Sequence, residues 1–195
     1  KFKPEEPITA PVVLETTGLE AENISIGFRF NGANSADKDM LDLVSSILFN
    51  RKAGLVDLNI NKKQLTLGCA AFGRSMVDYS MLQLSGRNKK GQSLDEVKDL
   101  LLQQVELLKK GDFPDWMLEA AINNQKLSMM NMLESGRGRA SMMYMSYLNR
   151  VNWADAISTI SRLEKITKVQ IVKFANEKLG NNYVVVYKRQ GKPED

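Results

Sequence analysis

Between Asn23 and Phe30, Ile24, Ile26, Phe28 and Phe30 alternate with Ser25, Gly27 and Arg29. A period of two puts the four large apolar side chains on one face of a strand and the small or charged ones on the other. Such a strand has one apolar face to bury, and the rest of the chain reads as further strands and helices. Ile8 to Leu14 reads as extended. Met40, Leu41, Val44, Ile47 and Leu48 recur at helical spacing. The short alternation of residues 55–60 is compatible with a helix or a strand and reads first as a short helix or turn. Gln64 to Phe72 and Val77 to Leu84 read as a hairpin around Gly73-Arg74-Ser75.

A helix starts at Ser93, whose hydroxyl can cap while Glu96 reciprocates. Leu94, Val97, Leu101, Val105 and Leu108 form its buried stripe, Lys109 and Lys110 suit its negative end, and Gly111 stops it. Phe113-Pro114-Asp115 opens the next helix, which runs to about Leu133. Gly136-Arg137-Gly138 breaks it before a helical stretch to about Leu148, and a shorter one covers Ala154 to Leu163. Thr167 caps a last helix that Gly180 ends. Tyr183-Val184-Val185-Val186-Tyr187 is a closing strand that reads as buried on both faces. The order predicts an α+β domain: a two-layer α/β sandwich with a mainly antiparallel sheet and helices on one face.

The chain contains no histidine. Imidazole is the usual general base near neutral pH and the commonest protein ligand for zinc. A catalytic zinc site of the His₃, His₂Glu or Cys₂His type is therefore excluded, as is a Ser-His-Asp triad. Carboxylate pairs and Ser-Lys chemistry remain open. The one S-x-x-K is Ser35-Ala36-Asp37-Lys38, where Ser35 reads more simply as a helix cap. Residues 50–61 lack the glycines and the G-K-S/T ending of a phosphate loop. Asp57, Asn59 and Asn61 lack the glycine and distal glutamate of a calcium loop. The single Cys69, in an apolar run, reads as a small buried hydrophobe.

A net charge of +4 is spread over 27 basic and 23 acidic residues, without the concentrated stripe that nucleic-acid binding requires. No apolar run is long enough to span a membrane. The 195 residues suit a single domain. The polar, proline-bearing ends, residues 1–7 and 190–195, read as linkers to a longer polypeptide. Six of the ten methionines fall at Met129, Met130, Met132, Met142, Met143 and Met145. They read first as adaptable packing between adjacent helices. The second reading is a pliable contact surface, because Arg137, Arg139, Tyr144 and Tyr147 lie in the same stretch and Arg and Tyr are favoured contact residues.

Several phrases in series carry a resemblance. They are Lys52 to Gln64, Asp78-Tyr79-Ser80, Gly91 to Val97, Gly136 to Ala140, Ile166-Thr167-Lys168 with Val172 to Asn176, and Asn182 to Arg189. Their order and spacing resemble the second, non-catalytic domain of long bacterial insulinase/pitrilysin-type zinc metallopeptidases (inverzincins), especially Bacteroides-like members. The resemblance implies a LuxS/mitochondrial-processing-peptidase-like metallohydrolase fold. It also implies two halves, each of two related domains, closing around a peptide chamber. Zinc would sit in another domain, on an inverted H-x-x-E-H helix that this chain cannot supply. No catalytic or metal-binding residue is expected here, and no cofactor. Arg137, Arg139, Tyr144 and Tyr147 are the candidate substrate or domain contacts. The implied partners are other domains of the same polypeptide and a peptide substrate, with no nucleic acid; the implied location is the periplasm or cell envelope. The alternatives are a stand-alone protein-protein interaction module and an independent histidine-free enzyme.

Overall fold

A computed structural model describes residues 4–192; the outermost expected linker residues, 1–3 and 193–195, lie outside the described residues. Among the described residues five strands form one sheet in the order β1-β5-β2-β4-β3, with β1 Val12–Gly18, β2 Asn23–Asn31, β3 Gly68–Ser75, β4 Tyr79–Arg87 and β5 Tyr183–Gln190. β1 runs parallel to β5; every other pair is antiparallel. The closing strand thus inserts between the two earliest ones, a placement that no local signal in 183–190 announces.

Among the described residues seven helices accompany the sheet: α1 Asp37–Leu48, α2 Leu94–Lys110, α3 Trp116–Glu134, α4 Gly136–Leu148, α5 Trp153–Ile157, α6 Thr159–Leu163 and α7 Lys168–Lys178. A π-helical turn spans Asp57–Asn61. The predicted α+β architecture is the one observed. Ile24, Ile26, Phe28 and Phe30 are buried as their alternation requires, and Leu82 and Leu84 of β4 join them. Leu41, Val44, Ile47 and Leu48 of α1 close over this face together with Leu94, Val97, Leu101, Val105 and Leu108 of α2. Gly86 of β4 lies close under α2 and beside β3: an added Cβ would stand 2.5 Å from Val97 Cγ1 and 2.9 Å from Cys69 Sγ. Glycine is required there by contact, not by backbone angle.

The α2 signals hold in detail. Ser93 accepts from the Glu96 N–H while the Glu96 carboxylate accepts from the Ser93 N–H, and Gly111 closes the helix at φ +70°. Thr167 and Gln170 form the same reciprocal box on α7.

Several expectations are corrected. β1 begins at Val12 rather than Ile8, directly after Pro11, which has no N–H to give a ladder. β3 begins at Gly68 rather than Gln64, because residues up to Leu65 complete the turn after the π-helical segment, with Gln64 at φ +52°. Ser35 does not cap α1: its hydroxyl donates to the Gly32 carbonyl, and Ala36 occupies the cap position. The 154–163 stretch divides at Ser158 into α5 and α6. β5 is buried on one face only: Val185 and Tyr187 enter the core, whereas Val184 and Val186 are half-buried. Val184 and Val186 share their face with Gly27 and Ser25 of β2, which no described helix covers.

Candidate functional site

The residues that invited a catalytic reading are each occupied structurally. Lys38 pairs with Asp42 at 2.7 Å, and Ser35 bonds Gly32, so the S-x-x-K spacing produces no serine-lysine contact. Asp57, buried, accepts the Asn50 and Gly54 N–H groups and holds the turn before the π-helical segment. Asn61 accepts the Cys69 N–H at 2.9 Å and donates to its carbonyl at 2.8 Å, satisfying the edge of β3 as a backbone strand would. Cys69 is buried against Thr66, and burial pushes its thiol pKa up, away from reactivity. Among the described residues no group of three or more Cys, Asp or Glu could hold a metal ion. With histidine absent as well, the residues present do not fit a zinc site.

What the molecule does present is exposed apolar surface. α3 buries Met117, Leu118 and Ala121 in its first half only, and α4 has no buried residue. The two helices form a hairpin whose distal half stands clear of the core. Gly138 makes its tight turn, because a Cβ there would strike the Met132 carbonyl. The predicted break at 136–138 is therefore real but sharper than expected: Ser135 caps α4 by accepting from Gly138 N–H, so both glycines lie within the helix.

The hairpin corrects the reading of the methionines as helix-packing residues. Met130 and Met143 are each 53% exposed, Met132 and Met145 are exposed, and Met129 and Met142 are half-buried. Leu127, Leu148 and Ile157 are exposed beside them. The four candidate contact residues all belong to α4 and all are exposed. Tyr144 and Tyr147 lie one turn apart, and Arg137 lies two turns before Tyr144, so these three share a helix face. Arg139 differs: its guanidinium donates to the Leu133 and Glu134 carbonyls at 2.7 and 3.3 Å. It closes the C-terminal end of α3 and stands as a structural residue.

Between the hairpin and α1 runs a groove of about 830 Å³, lined by Met132, Met142, Met145, Met40, Arg150 and Asp39 among others. Arg162 ties its wall together, donating to Asp39 Oδ2 at 2.6 Å and to the Asp155 carbonyl. The Asp39 carboxylate raises the Arg162 pKa further. A second surface is the helix-free sheet face. Val12 and Leu14 of β1 register with Val184 and Val186 of β5 on it, and Phe72 of β3 lies across from Gln83. Val12, Leu14 and Phe72 are 42–52% exposed. Sequence periodicity had marked only β2 as one-sided. The face could have been found from Ser25, Gly27 and Arg29, the polar half of that alternation.

The family described as Peptidase M16 inactive domain matches residues 1–125. No curated protein matches the chain. Among solved structures, a protease from Helicobacter pylori superposes with a TM-score of 0.82 at 18% identity, covering 92% of this chain and 44% of that one. The peptidase M16 inactive domain from Pseudomonas fluorescens gives 0.74 at 15% identity, covering 100% of this chain and 47% of that one. The first half of the periplasmic protease PqqL from Escherichia coli gives 0.75 at 11% identity, covering 97% of this chain and 44% of that one. This chain spans less than half the length of each of the three. At such identities the structural likeness establishes the fold, and it agrees with the sequence match. With more than half of its length matched by that family, the chain belongs to the peptidase M16 inactive domain family.

Proposed function

We propose that the chain serves a zinc endopeptidase as its non-catalytic domain, packing against the zinc-bearing domain and forming part of the wall of the substrate chamber. The observation that carries the reading is the exposed apolar surface of the α3–α4 hairpin, from Leu127 through Met130, Met143, Tyr144 and Tyr147. An apolar surface of this extent on a domain with a complete core of its own marks a contact with another protein body. The helix-free sheet face supplies a second such surface. Zinc and the groups that act on the peptide bond reside in the neighbouring domain, while this chain excludes water and limits the size of peptide admitted. Arg137, Tyr144 and Tyr147 face that domain or the bound peptide. The parent protein works in the periplasm or cell envelope.

The test compares the isolated chain with the whole protein. The isolated chain is expected to fold, to take up no zinc in calorimetry and to hydrolyse no peptide. In the whole protein, Met143→Glu combined with Tyr147→Glu is expected to lower peptidase activity while leaving zinc content unchanged. Stoichiometric zinc uptake by the isolated chain, or full activity in the double variant, overturns the reading. A stand-alone interaction module would use the same hairpin. It is distinguished by a coding sequence that carries no H-x-x-E-H motif upstream.

A further inference from the structure

One end of the helix-free sheet face is occupied. Arg29 lies between Phe28 and Phe30, both in the core, so strand alternation turns its side chain to the opposite face. Tyr79, directly across from Asn31 and next to the buried Ser80, shares that face. The Arg29 guanidinium carbon stands 5.0 Å from the Tyr79 ring centroid, a cation–π arrangement. Onto this pair comes the lead-in segment Pro4-Glu5-Glu6-Pro7. Arg29 Nη1 donates to Glu5 Oε2 at 2.7 Å, and Arg29 Nη2 donates to the Glu6 carbonyl at 2.6 Å. The Glu5 N–H donates to the Tyr79 hydroxyl at 3.0 Å.

We infer that Arg29 and Tyr79 form a latch on the sheet face whose ligand is an extended acidic segment next to proline, filled in cis by Glu5-Glu6-Pro7. Three features support this. The guanidinium reads both a carboxylate and a backbone carbonyl, while the phenol reads a backbone N–H, so the pair recognises an extended chain and not merely a charge. Pro7 biases Glu6 before it towards extended backbone, which prepares the segment for this pose. The Arg29 side chain is 24% exposed against 73% for Glu5, so the receptor side is built into the sheet and the ligand side is held at the surface. An ion pair with one partner so exposed is weak and screened by salt. The hold of the latch on the segment is therefore modest and salt-dependent. The inference does not depend on the proposed peptidase role.

Hydrogen exchange measured by mass spectrometry on the full chain tests it. Arg29→Gln, Tyr79→Phe and Glu5→Gln are each expected to speed exchange in residues 5–8 by about threefold to tenfold, the size expected of one exposed charge-assisted contact. The Arg29→Gln/Glu5→Gln double variant should exchange no faster than Arg29→Gln alone, because that substitution already removes the ion pair that Glu5→Gln removes. Raising salt should speed the wild type towards the variants. Peptides from β2 and β4 should stay protected throughout. Unchanged exchange in residues 5–8 of Glu5→Gln, which alters no strand residue, overturns the inference, as do fully additive effects in the double variant.

Discussion

The Tyr187 hydroxyl donates to Asp95 Oδ1 at 2.6 Å, joining the closing strand to the first turn of α2 across 92 residues of sequence. Lys98 Nζ completes the triangle, 2.7 Å from Asp95 Oδ1 and 3.0 Å from the Tyr187 hydroxyl. Asp95 also sits where the helix dipole favours a carboxylate. β5 is the strand that the chain must insert between β1 and β2, and this polar contact ties its middle to the helix layer.

The triangle predicts how stability depends on pH. Lys98, then Tyr187, hold the Asp95 carboxyl below the usual carboxylate range through their hydrogen bonds. A depressed carboxyl pKa contributes stability above its unfolded value of about 4, and that contribution is lost as pH falls through the folded value. Lys98 is raised, chiefly by its bond to Asp95, and Tyr187 is raised, chiefly by burial. Raised groups contribute below their unfolded values of about 10, and the contribution is lost as pH rises through the folded ones. The contribution of the triangle is thus complete between about pH 5 and pH 9 and declines on either side. Thermal melts should show Tyr187→Phe lowering Tm more at pH 7 than at pH 3. An equal loss at both would remove Asp95 from the account.

Gly86→Val tests a close approach of sheet and helix. The new side chain meets Val97 Cγ1 and Cys69 Sγ inside contact distance. Overpacking a closed core costs about 1–3 kcal/mol, which denaturant titration resolves as a lower midpoint with an unchanged slope. Gly91→Ala is the contrasting control: no atom lies within 4 Å of an added Cβ there, so its effect reports only the φ of +80°.

Ser80 carries a buried hydroxyl with no hydrogen-bond partner among the described residues. It faces the core opposite Phe30. Removing an unsatisfied polar atom without leaving a large cavity is favourable, so Ser80→Ala should stabilise the domain by about 1 kcal/mol. A measured destabilisation would mean that the hydroxyl has a partner.

The hairpin surface predicts a separation of folding from contact. Tyr147 is 82% exposed and Tyr144 61%, so replacing both with Ser should shift the stability of the isolated chain by no more than about 0.5 kcal/mol per site. Arg139→Ala should cost more, about 1 kcal/mol, because two carbonyls at the end of α3 lose their donor. Denaturant midpoints of the two variants check the order.

How much of this was readable in advance depended on the range of the interaction. The box at Ser93 and Glu96, the stripe from Leu94 to Leu108 and the glycine stop at Gly111 involve neighbours along one helix, and all three appear where their spacing puts them. The β2 alternation likewise announced a core on one side. The exposed methionines were misread because Met packs irregular interiors and pliable surfaces with the same side chain. No property of residues 129–145 says whether another element of this chain arrives to cover them. Arg139 and Arg137 are equally basic and two residues apart, yet only the turn at Gly138 puts one of them over the carbonyls of α3.

The sequence by itself determined the α+β class, the one-sided character of β2, the limits of α2, and, through the missing histidine, that no histidine-based zinc or triad chemistry could take place here. Tertiary structure alone decided the strand order β1-β5-β2-β4-β3, the single buried face of β5, the exposed hairpin and the Arg29–Tyr79 latch. Helix caps and strand alternation are written in neighbouring residues, each with its own local energy. Which distant strand lies beside which, and which apolar faces stay uncovered, follows from closing one shared core, a property of the whole chain that no short window contains.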